Sequence, residues 1–231
     1  MIYHTYCCIL EKYLSKTEVD YIHSYAHSLE VADSRIGHGM KDDKDSARAR
    51  DGESGTTDNV IRQSTNKWLD HNDPKFDVEL KQKIFDGMVQ ANVQSGWNYD
   101  ITGMETWQYT QYEYQPDKPT GDFYTWHTDA SDRVQPNGRM RKLSSTIQLS
   151  NPDDYEGGHF QWIEPVGIFD KLKSTGVQSV NVDPYIQTAP FSAKERGSFI
   201  IFPSFVHHQV QPVTRGTRVS LVSWYHGQPY V

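Results

Sequence analysis

FPSFVHHQVQPVTRGTRVSLVSWYHG, residues 202–227, is the stretch whose reading decides the fold. It is rich in β-branched and aromatic residues broken by Pro and Gly, and predicts two strands, 206–213 and 218–225, around a turn at 214–217. Successive side chains on a strand point to opposite faces, so His208 lies with Val210 and Pro212, while His207 lies with Gln209 and Gln211. The apolar face goes inward, which buries His208 and leaves His207 in solvent. On the second strand Arg218 shares a face with Ser220, Val222 and Trp224. A guanidinium on such a face requires an anion, and its planar fork suits a carboxylate.

Upstream of this stretch, everything after Gly96 has the same texture, with further strands predicted over 105–114, 123–127, 142–149, 159–163, 177–182, 189–191 and 198–202. The N-terminal part differs. After a short apolar run over 3–10, Ser15-Lys16-Thr17-Glu18 is a capping box flanked by Leu14 and Val19 as a hydrophobic staple. Val19, Ile22, Ala26 and Leu29 then give the buried stripe of a helix ending near residue 31. A second helix is predicted from Asn72-Asp73-Pro74, with Pro74 in the first helical position, Asp73 as its cap, and Phe76, Leu80, Ile84, Met88 and Ala91 facing the core to about residue 94. Between the helices, residues 33–58 are charged and glycine-rich, a loop that with the following residues to Arg62 forms a candidate mobile lid. Nine strands after two helices predict a mostly β fold, a β-sandwich or jelly roll backed by two N-terminal α-helices.

The 231 residues fit one domain, here taken as 1–231, and a hydrophobic share of 36% makes its core lean. No run approaches the ~18 apolar residues of a membrane span, and the start MIYHTYCCILEKYL lacks the basic segment of a secretory signal, so a cytoplasmic protein is expected. Cys7 and Cys8, the only two cysteines, are adjacent and can close no loop between them nor complete a thiolate zinc site. The net charge of -7 disfavours nucleic acid as a partner, although Arg133, Arg139, Arg141 and Lys142 form a local basic patch.

Ten histidines invite a metal reading, but His-x-Asp is expected by chance roughly once in a chain of this make-up. It occurs twice. His71-Asn72-Asp73 runs into the helix start and reads as structural. His127-Thr128-Asp129 closes a predicted strand, where residues two apart share a face and could present an imidazole and a carboxylate to one ion. With His208 as third ligand, two His and one carboxylate would occupy one face of an octahedron and leave positions open, a set that suits non-haem Fe(II). A dicarboxylate bridging that metal and Arg218 would account for both features. Trp126 and Trp224 would line or buttress the pocket.

His127-x-Asp129, His208 in H-x-V-x-P-V, and Arg218 ten residues later resemble the iron(II)/2-oxoglutarate dioxygenases, in the prolyl 4-hydroxylase-like (PKHD-type) branch. LSSTIQLSNPDDYEGGHF, RGSFIIFPSFVHHQVQPVTRGTRVSLVSW and the upstream IRQSTNKWLD are similar to enzymes of this branch carried by cyanophages. The resemblance implies a double-stranded β-helix (jelly roll, cupin-like), with Fe(II) on His127, Asp129 and His208 and the distal carboxylate of 2-oxoglutarate on Arg218. It implies Tyr112 and Ser220 beside the cosubstrate, although the insertion QPDKPTG at 115–121 bears on the register of Tyr112. Gln148 falls where relatives often place an aromatic that touches the cosubstrate. Arg62, Tyr124 and Trp224 are candidate substrate contacts. The implied activity consumes dioxygen and 2-oxoglutarate, releases succinate and CO2, and hydroxylates a prolyl residue in a peptide or protein, with ascorbate as a candidate reductant. A free amino acid or other small molecule as substrate, nucleic acid demethylation on the same scaffold, and a cupin-like metal-binding module without turnover are the alternatives.

Overall fold

The computed structural model describes residues 2–4, 6–29, 62–118, 120–130, 134, 138–164 and 181–229. The proposed lid falls outside these apart from Arg62, as do Arg133 and most of the strand expected over 177–182. In chain order the strands are β1 (Ile2–His4), β2 (Cys7–Leu10), β3 (Arg62–Gln63), β4 (Thr65–Leu69), β5 (Gly103–Met104), β6 (Trp107–Glu113) and β7 (Phe123–His127). They continue with β8 (Met140–Gln148), β9 (Tyr155–Gly157), β10 (Phe160–Ile163), β11 (Ile186–Thr188), β12 (Phe199–Pro203), β13 (His208–Val210) and β14 (Val213–Gly227). Two helices, α1 (Lys16–Ser28) and α2 (Val78–Gln94), lie between them in sequence.

The strands form two sheets. The larger runs β1-β2-β12-β8-β14-β6-β4, with β5 and β9 also on β14, and the smaller runs β11-β10-β13-β7-β3. Strand alternation gives the larger sheet two distinct faces. Odd-numbered residues of β6, β8, β12 and β14, among them Trp107, Tyr109, Ile147, Phe199, Ile201 and Leu221, pack against Val19, Ile22 and Ala26 of α1 and Leu80 and Ile84 of α2. Ile200 and Phe202, on the other face of β12, join Phe160, Trp162 and Val210 of the smaller sheet in a second core between the sheets. Cys7 and Ile9 belong to that inner core, while Cys8 and Leu10 face the helices. Both thiols are free and buried. Among the described residues no helix is long and apolar enough to cross a membrane.

α1 starts where its capping box directs. The Ser15 hydroxyl accepts from the Glu18 amide at 3.3 Å, and the Glu18 carboxylate accepts from the Ser15 amide at 2.7 Å. α2 starts later than expected, at Val78, because Asp77 and not Asp73 caps it, accepting from the amides of Glu79 and Leu80. The Asp73 carboxylate is occupied by the Lys75 amide and the Tyr25 hydroxyl, so Pro74 sits in a turn ahead of the helix.

The expected turn at 214–217 is also corrected. β14 runs unbroken through it, and the chain instead crosses from the smaller to the larger sheet at Gln211 and Pro212. Gly216 adopts φ +69°, and a Cβ there would fall 2.0 Å from the Asp154 carbonyl oxygen, so the residue permits a close backbone approach within the β9–β14 ladder, whose register slips just before it between Val213 and Arg215, and does not reverse the chain. The strand expected over 189–191 lies three residues earlier, since Pro190 cannot donate to a ladder. β3 and β4, on the edges of the two sheets, were not anticipated.

Replacing Ser15 by Ala removes one acceptor from the first turn of α1 and should lower unfolding stability by about 1 kcal/mol in a denaturant titration. An unchanged midpoint would show that packing against the sheet alone sets the start of α1.

Candidate active site

β7 and β13 pair antiparallel in the smaller sheet, with His127 directly opposite His208. The register then slips, Val210 facing Tyr124, so β7 carries one extra residue. This bulge breaks the simple alternation of β7 and brings Tyr124 onto the same side as His127, three residues away. Their rings stack with centroids 3.5 Å apart, and the His127 and His208 rings lie 4.1 Å apart. Asp129 follows the end of β7. Its amide and that of Ala130 both donate to the Ser204 carbonyl, at 2.9 and 2.8 Å, in the turn after β12. The Asp129 carboxylate lies 3.8 Å from His127 Nε2 and 3.6 Å from His208 Nε2, and the three ligand atoms all fall within 4.8 Å of one another. Those separations are too long for hydrogen bonds and suit a single ion between the groups.

The tautomers follow from the backbone. His127 Nδ1 lies 2.7 Å from the Thr125 carbonyl and His208 Nδ1 2.9 Å from the Val206 carbonyl. A carbonyl only accepts, so each Nδ1 carries the proton and each Nε2 turns its lone pair toward Asp129. Burial and the adjacent His208 hold the His127 imidazole far below its ordinary range, at about 3, against the pull of Asp129. Burial alone would raise the Asp129 carboxyl, but His208, His127 and Arg141 outweigh it and hold the group below the usual carboxylate range. His127 and Asp129 are therefore deprotonated near neutrality. The donor set fits a divalent first-row metal with open coordination positions.

The three groups open into a cavity of about 330 Å³, lined at its far side by Tyr112, Arg218 and Ser220. Tyr112 and Arg218 are direct partners in the β6–β14 ladder, so the 115–121 insertion leaves Tyr112 beside the arginine, whose guanidinium carbon is 5.6 Å from the tyrosine ring. Arg218 is 3% exposed, donates weakly to the Ser220 hydroxyl at 3.4 Å, and has no carboxylate partner among the described residues. Close packing holds it there. Gly158, at φ +57°, lies so near that a Cβ would meet the Arg218 Cδ at 2.8 Å. Gln148 faces the same way as Ser220, its ladder partner, but is absent from the cavity wall, and its buried Nε2 has no acceptor among the described residues.

Arg62, Tyr124 and Trp224 also line the cavity. The Arg62 guanidinium lies 4.7 Å from the Tyr124 ring and donates to Asn66 Oδ1 and Gln108 Oε1, both at 2.8 Å. Trp126 is not among the lining residues. Sequence reasoning missed Trp68 and Gln108, which lie on strands read incompletely or by their apolar residues alone. It also placed Arg141 in a surface patch. Arg141 lines the cavity, pairs through two bonds of 2.8 and 2.6 Å with Glu105, and lies 4.3 Å from the Trp224 ring. Lys142 is buried, so neither residue presents an open basic surface. His207 is exposed and His208 buried, as strand parity predicts. His71 is structural, 3.0 Å from the Glu105 carbonyl and packed on Trp107.

Residues 107–226 match the model of the 2OG-Fe(II) oxygenase superfamily. A PKHD-type hydroxylase of Sphingopyxis alaskensis is 34% identical over 105 residues, which cover 45% of this chain and 38% of that protein. One from Burkholderia ambifaria is 37% identical over 100 residues, covering 42% and 35% respectively, so the match spans little more than a third of either relative. Among solved structures, a Pseudomonas putida prolyl-4-hydroxylase superposes with a TM-score of 0.54 at 20% identity, covering 96% of this chain and 93% of that one. A viral collagen prolyl hydroxylase from Paramecium Bursaria Chlorella virus-1 superposes at 0.58 and 16%, covering 96% of both. A Trichoplax adhaerens prolyl hydroxylase, solved with a hypoxia inducible factor peptide fragment, gives 0.57 and 16% over 96% of this chain and 83% of that one. These likenesses carry the fold, a jelly roll. With more than half of its length matched and its cavity furnished as above, the chain belongs to the 2OG-Fe(II) oxygenase superfamily.

Proposed function

We propose that this chain is a single-domain dioxygenase, working in the cytoplasm, that hydroxylates a prolyl residue of a peptide or protein. Fe(II) and 2-oxoglutarate are the metal and cosubstrate that membership of the superfamily brings. In the proposed site His127, Asp129 and His208 hold the metal and Arg218 holds the distal carboxylate of 2-oxoglutarate. Tyr112 and Ser220 flank that carboxylate, and Gln148 lends its unpaired amide from behind. The observation that carries this reading is the pairing of two features in one cavity: three inward ligand atoms within 4.8 Å, and a buried arginine with no carboxylate of its own among the described residues.

Bound there, Fe(II) and 2-oxoglutarate supply oxidising power from dioxygen, with succinate and CO2 as by-products. The protein's own groups orient and exclude. The two Nδ1–H bonds keep both imidazoles aimed, so no tautomeric change accompanies metal loading. Phe202 and Phe160, with ring centroids 4.5 and 5.7 Å from that of His208, keep water from one side of the centre. Arg62, Tyr124 and Trp224 form the substrate wall. A peptide substrate is supported by the Trichoplax neighbour, whose structure includes a peptide fragment. Ascorbate would serve as reductant.

Anaerobic loading with Fe(II) and 2-oxoglutarate, then oxygen with ascorbate and a panel of proline-containing peptides and free amino acids, tests this directly. Succinate and an oxygen-atom mass gain on a peptidyl proline are expected. Gain on a free amino acid alone would move the substrate to the small-molecule class, and absence of succinate would favour a metal-binding module without turnover.

Asp129→Ala should abolish turnover and metal uptake, read by equilibrium dialysis. Arg218→Ala should retain metal but weaken 2-oxoglutarate by about 2 to 4 kcal/mol, since two charged hydrogen bonds are lost. Wild-type behaviour in both would overturn the site. Gly158→Ala should weaken 2-oxoglutarate about tenfold with metal affinity intact, because its Cβ displaces the Arg218 side chain. Equal affinities in titration calorimetry would show that Arg218 has slack.

A further inference from the structure

Next to Arg218, and outside the residues that line the cavity, stands a side chain to which the reading above gives no role. Tyr155 opens β9 and faces Gly216 across the β9–β14 ladder, which makes Arg218, two residues further along β14, its diagonal neighbour on the same face. Tyr155 is 2% exposed, and its buried hydroxyl has no hydrogen-bond partner within usable geometry among the described residues. A phenol stripped of water and given no partner is costly, on the order of 1 to 3 kcal/mol, and is retained only where something compensates.

The surroundings indicate what does. The face of the ring carries the Lys194 ammonium, 4.3 Å from the centroid, whose Nζ also lies 3.4 Å from the Gly157 carbonyl. The edge of the ring and the aliphatic stem of Arg218 converge on Gly158. A Cβ built there would lie 3.4 Å from Tyr155 Cε2 and 2.8 Å from Arg218 Cδ, so no side chain fits between the two. Burial raises the Tyr155 hydroxyl above the ordinary phenol range, and Arg218 is the charge that pulls it back. Arg218 in turn makes a 3.4 Å contact with the Ser220 hydroxyl and has no carboxylate partner among the described residues. A guanidinium only donates and a phenol oxygen accepts, so the two buried groups are complementary, and Arg218 acts on the phenol both as a charge and as a weak donor.

We infer that Tyr155 is a positioning residue for Arg218: its hydroxyl backs the guanidinium and fixes the orientation in which the arginine grips the distal carboxylate of a 2-oxo diacid. The inference rests on the proposed function and assigns Tyr155 to discrimination between diacid and monoacid cosubstrates, not to the metal. The Lys194 stack keeps the ring from turning, and the absent side chain at Gly158 permits the approach. When the carboxylate neutralises the outer edge of Arg218, the inner edge settles on the phenol oxygen.

Tyr155→Phe deletes the hydroxyl and keeps the ring, its stacking with Lys194 and its packing at Gly158. The test is anaerobic titration of Fe(II)-loaded wild type and variant with 2-oxoglutarate and with 2-oxopentanoate, which has the same keto acid head and no distal carboxylate. Melting temperatures are measured with and without each acid. The variant should bind 2-oxoglutarate about tenfold more weakly and 2-oxopentanoate unchanged, with ligand-free melting equal to or above wild type and a smaller rise on adding 2-oxoglutarate. Equal loss for both acids, or lowered ligand-free melting with the ratio of affinities preserved, would reduce Tyr155 to a packing residue and overturn the inference. So would unchanged affinity for both. A wild type that binds neither acid overturns the functional reading itself, whereas a wild type that binds 2-oxoglutarate beside an indifferent variant overturns the Tyr155 assignment alone.

Discussion

The site depends on one cross-strand pair. His127 and His208 face each other across β7 and β13, and each is tied through Nδ1 to the carbonyl two residues before it. Two such short-range bonds fix both ring planes without any help from outside the strands that carry them. The third donor comes from elsewhere. Asp129 is past the end of β7, where extended backbone no longer determines direction, and is aimed by the Ser204 carbonyl, which accepts from two successive amides. Ser204 bonds through its hydroxyl to Ser144 of β8. The carboxylate is thereby referred to the larger sheet while the imidazoles belong to the smaller one, and the metal position is where the two sheets are held in register.

That arrangement requires the larger sheet to be apolar on its helix-covered face and, on its inner face, apolar along β2 and β12 but polar along much of β6, β8 and β14. The odd-numbered residues of β6, β8, β12 and β14 bury against the helices, and even-numbered ones of β6, β8 and β14, Thr110, Ser144, Thr146, Gln148, Arg218 and Ser220 among them, turn toward the second sheet. Burying polar groups costs free energy unless each finds a partner. Most do: Ser144 with Ser204, Thr110 with Gln108, and Arg62 with Asn66 and Gln108. The exceptions on this side of the fold include Gln148 Nε2, the Tyr155 hydroxyl and the indole nitrogens of Trp68 and Trp224, which lack a partner of good geometry among the described residues. A helix-covered outer face supplies the apolar burial that tolerates this deficit, which is why the helices bear on function despite lying on the far side of the sheet from the site.

Strand parity was legible where strands are regular. It separated His208 from His207 and put Arg218 on the face of Ser220, Val222 and Trp224, and both assignments hold. It failed where geometry departs from period two. Tyr124 and His127 should face apart, and only the bulge in β7 brings them together, a feature that leaves no mark in residue types alone. Gly216 marks a left-handed residue correctly, but a turn and a close backbone approach within a strand make the same demand, and the ladder with β9 decides between them. Asp73 and Asp77 are both capable caps four residues apart, and the choice falls to Asp77 because Tyr25, far away in sequence, engages the other. Arg141 looked like a surface base because Glu105, its partner, is 36 residues upstream.

The outer half of the cavity has a chemistry distinct from the inner half. Arg141 is neutralised by Glu105 and laid flat on Trp224, while Arg62 is laid on Tyr124 and committed to amide oxygens. Both guanidiniums act there as flat surfaces continuing the aromatic walls, and their residual positive potential opposes a free ammonium. The indole nitrogens of Trp68 and Trp224, whose rings lie 6.0 Å apart, are buried and have no acceptor among the described residues. On the proposed reading, two such donors would suit an uncharged carbonyl flanking a compact ring, which an amide within a chain would provide without the charged amine of a free amino acid. On the same reading, those walls would hold a dicarboxylate poorly and Arg218 would hold it well, which would place the cosubstrate at the arginine and the substrate at the aromatic walls.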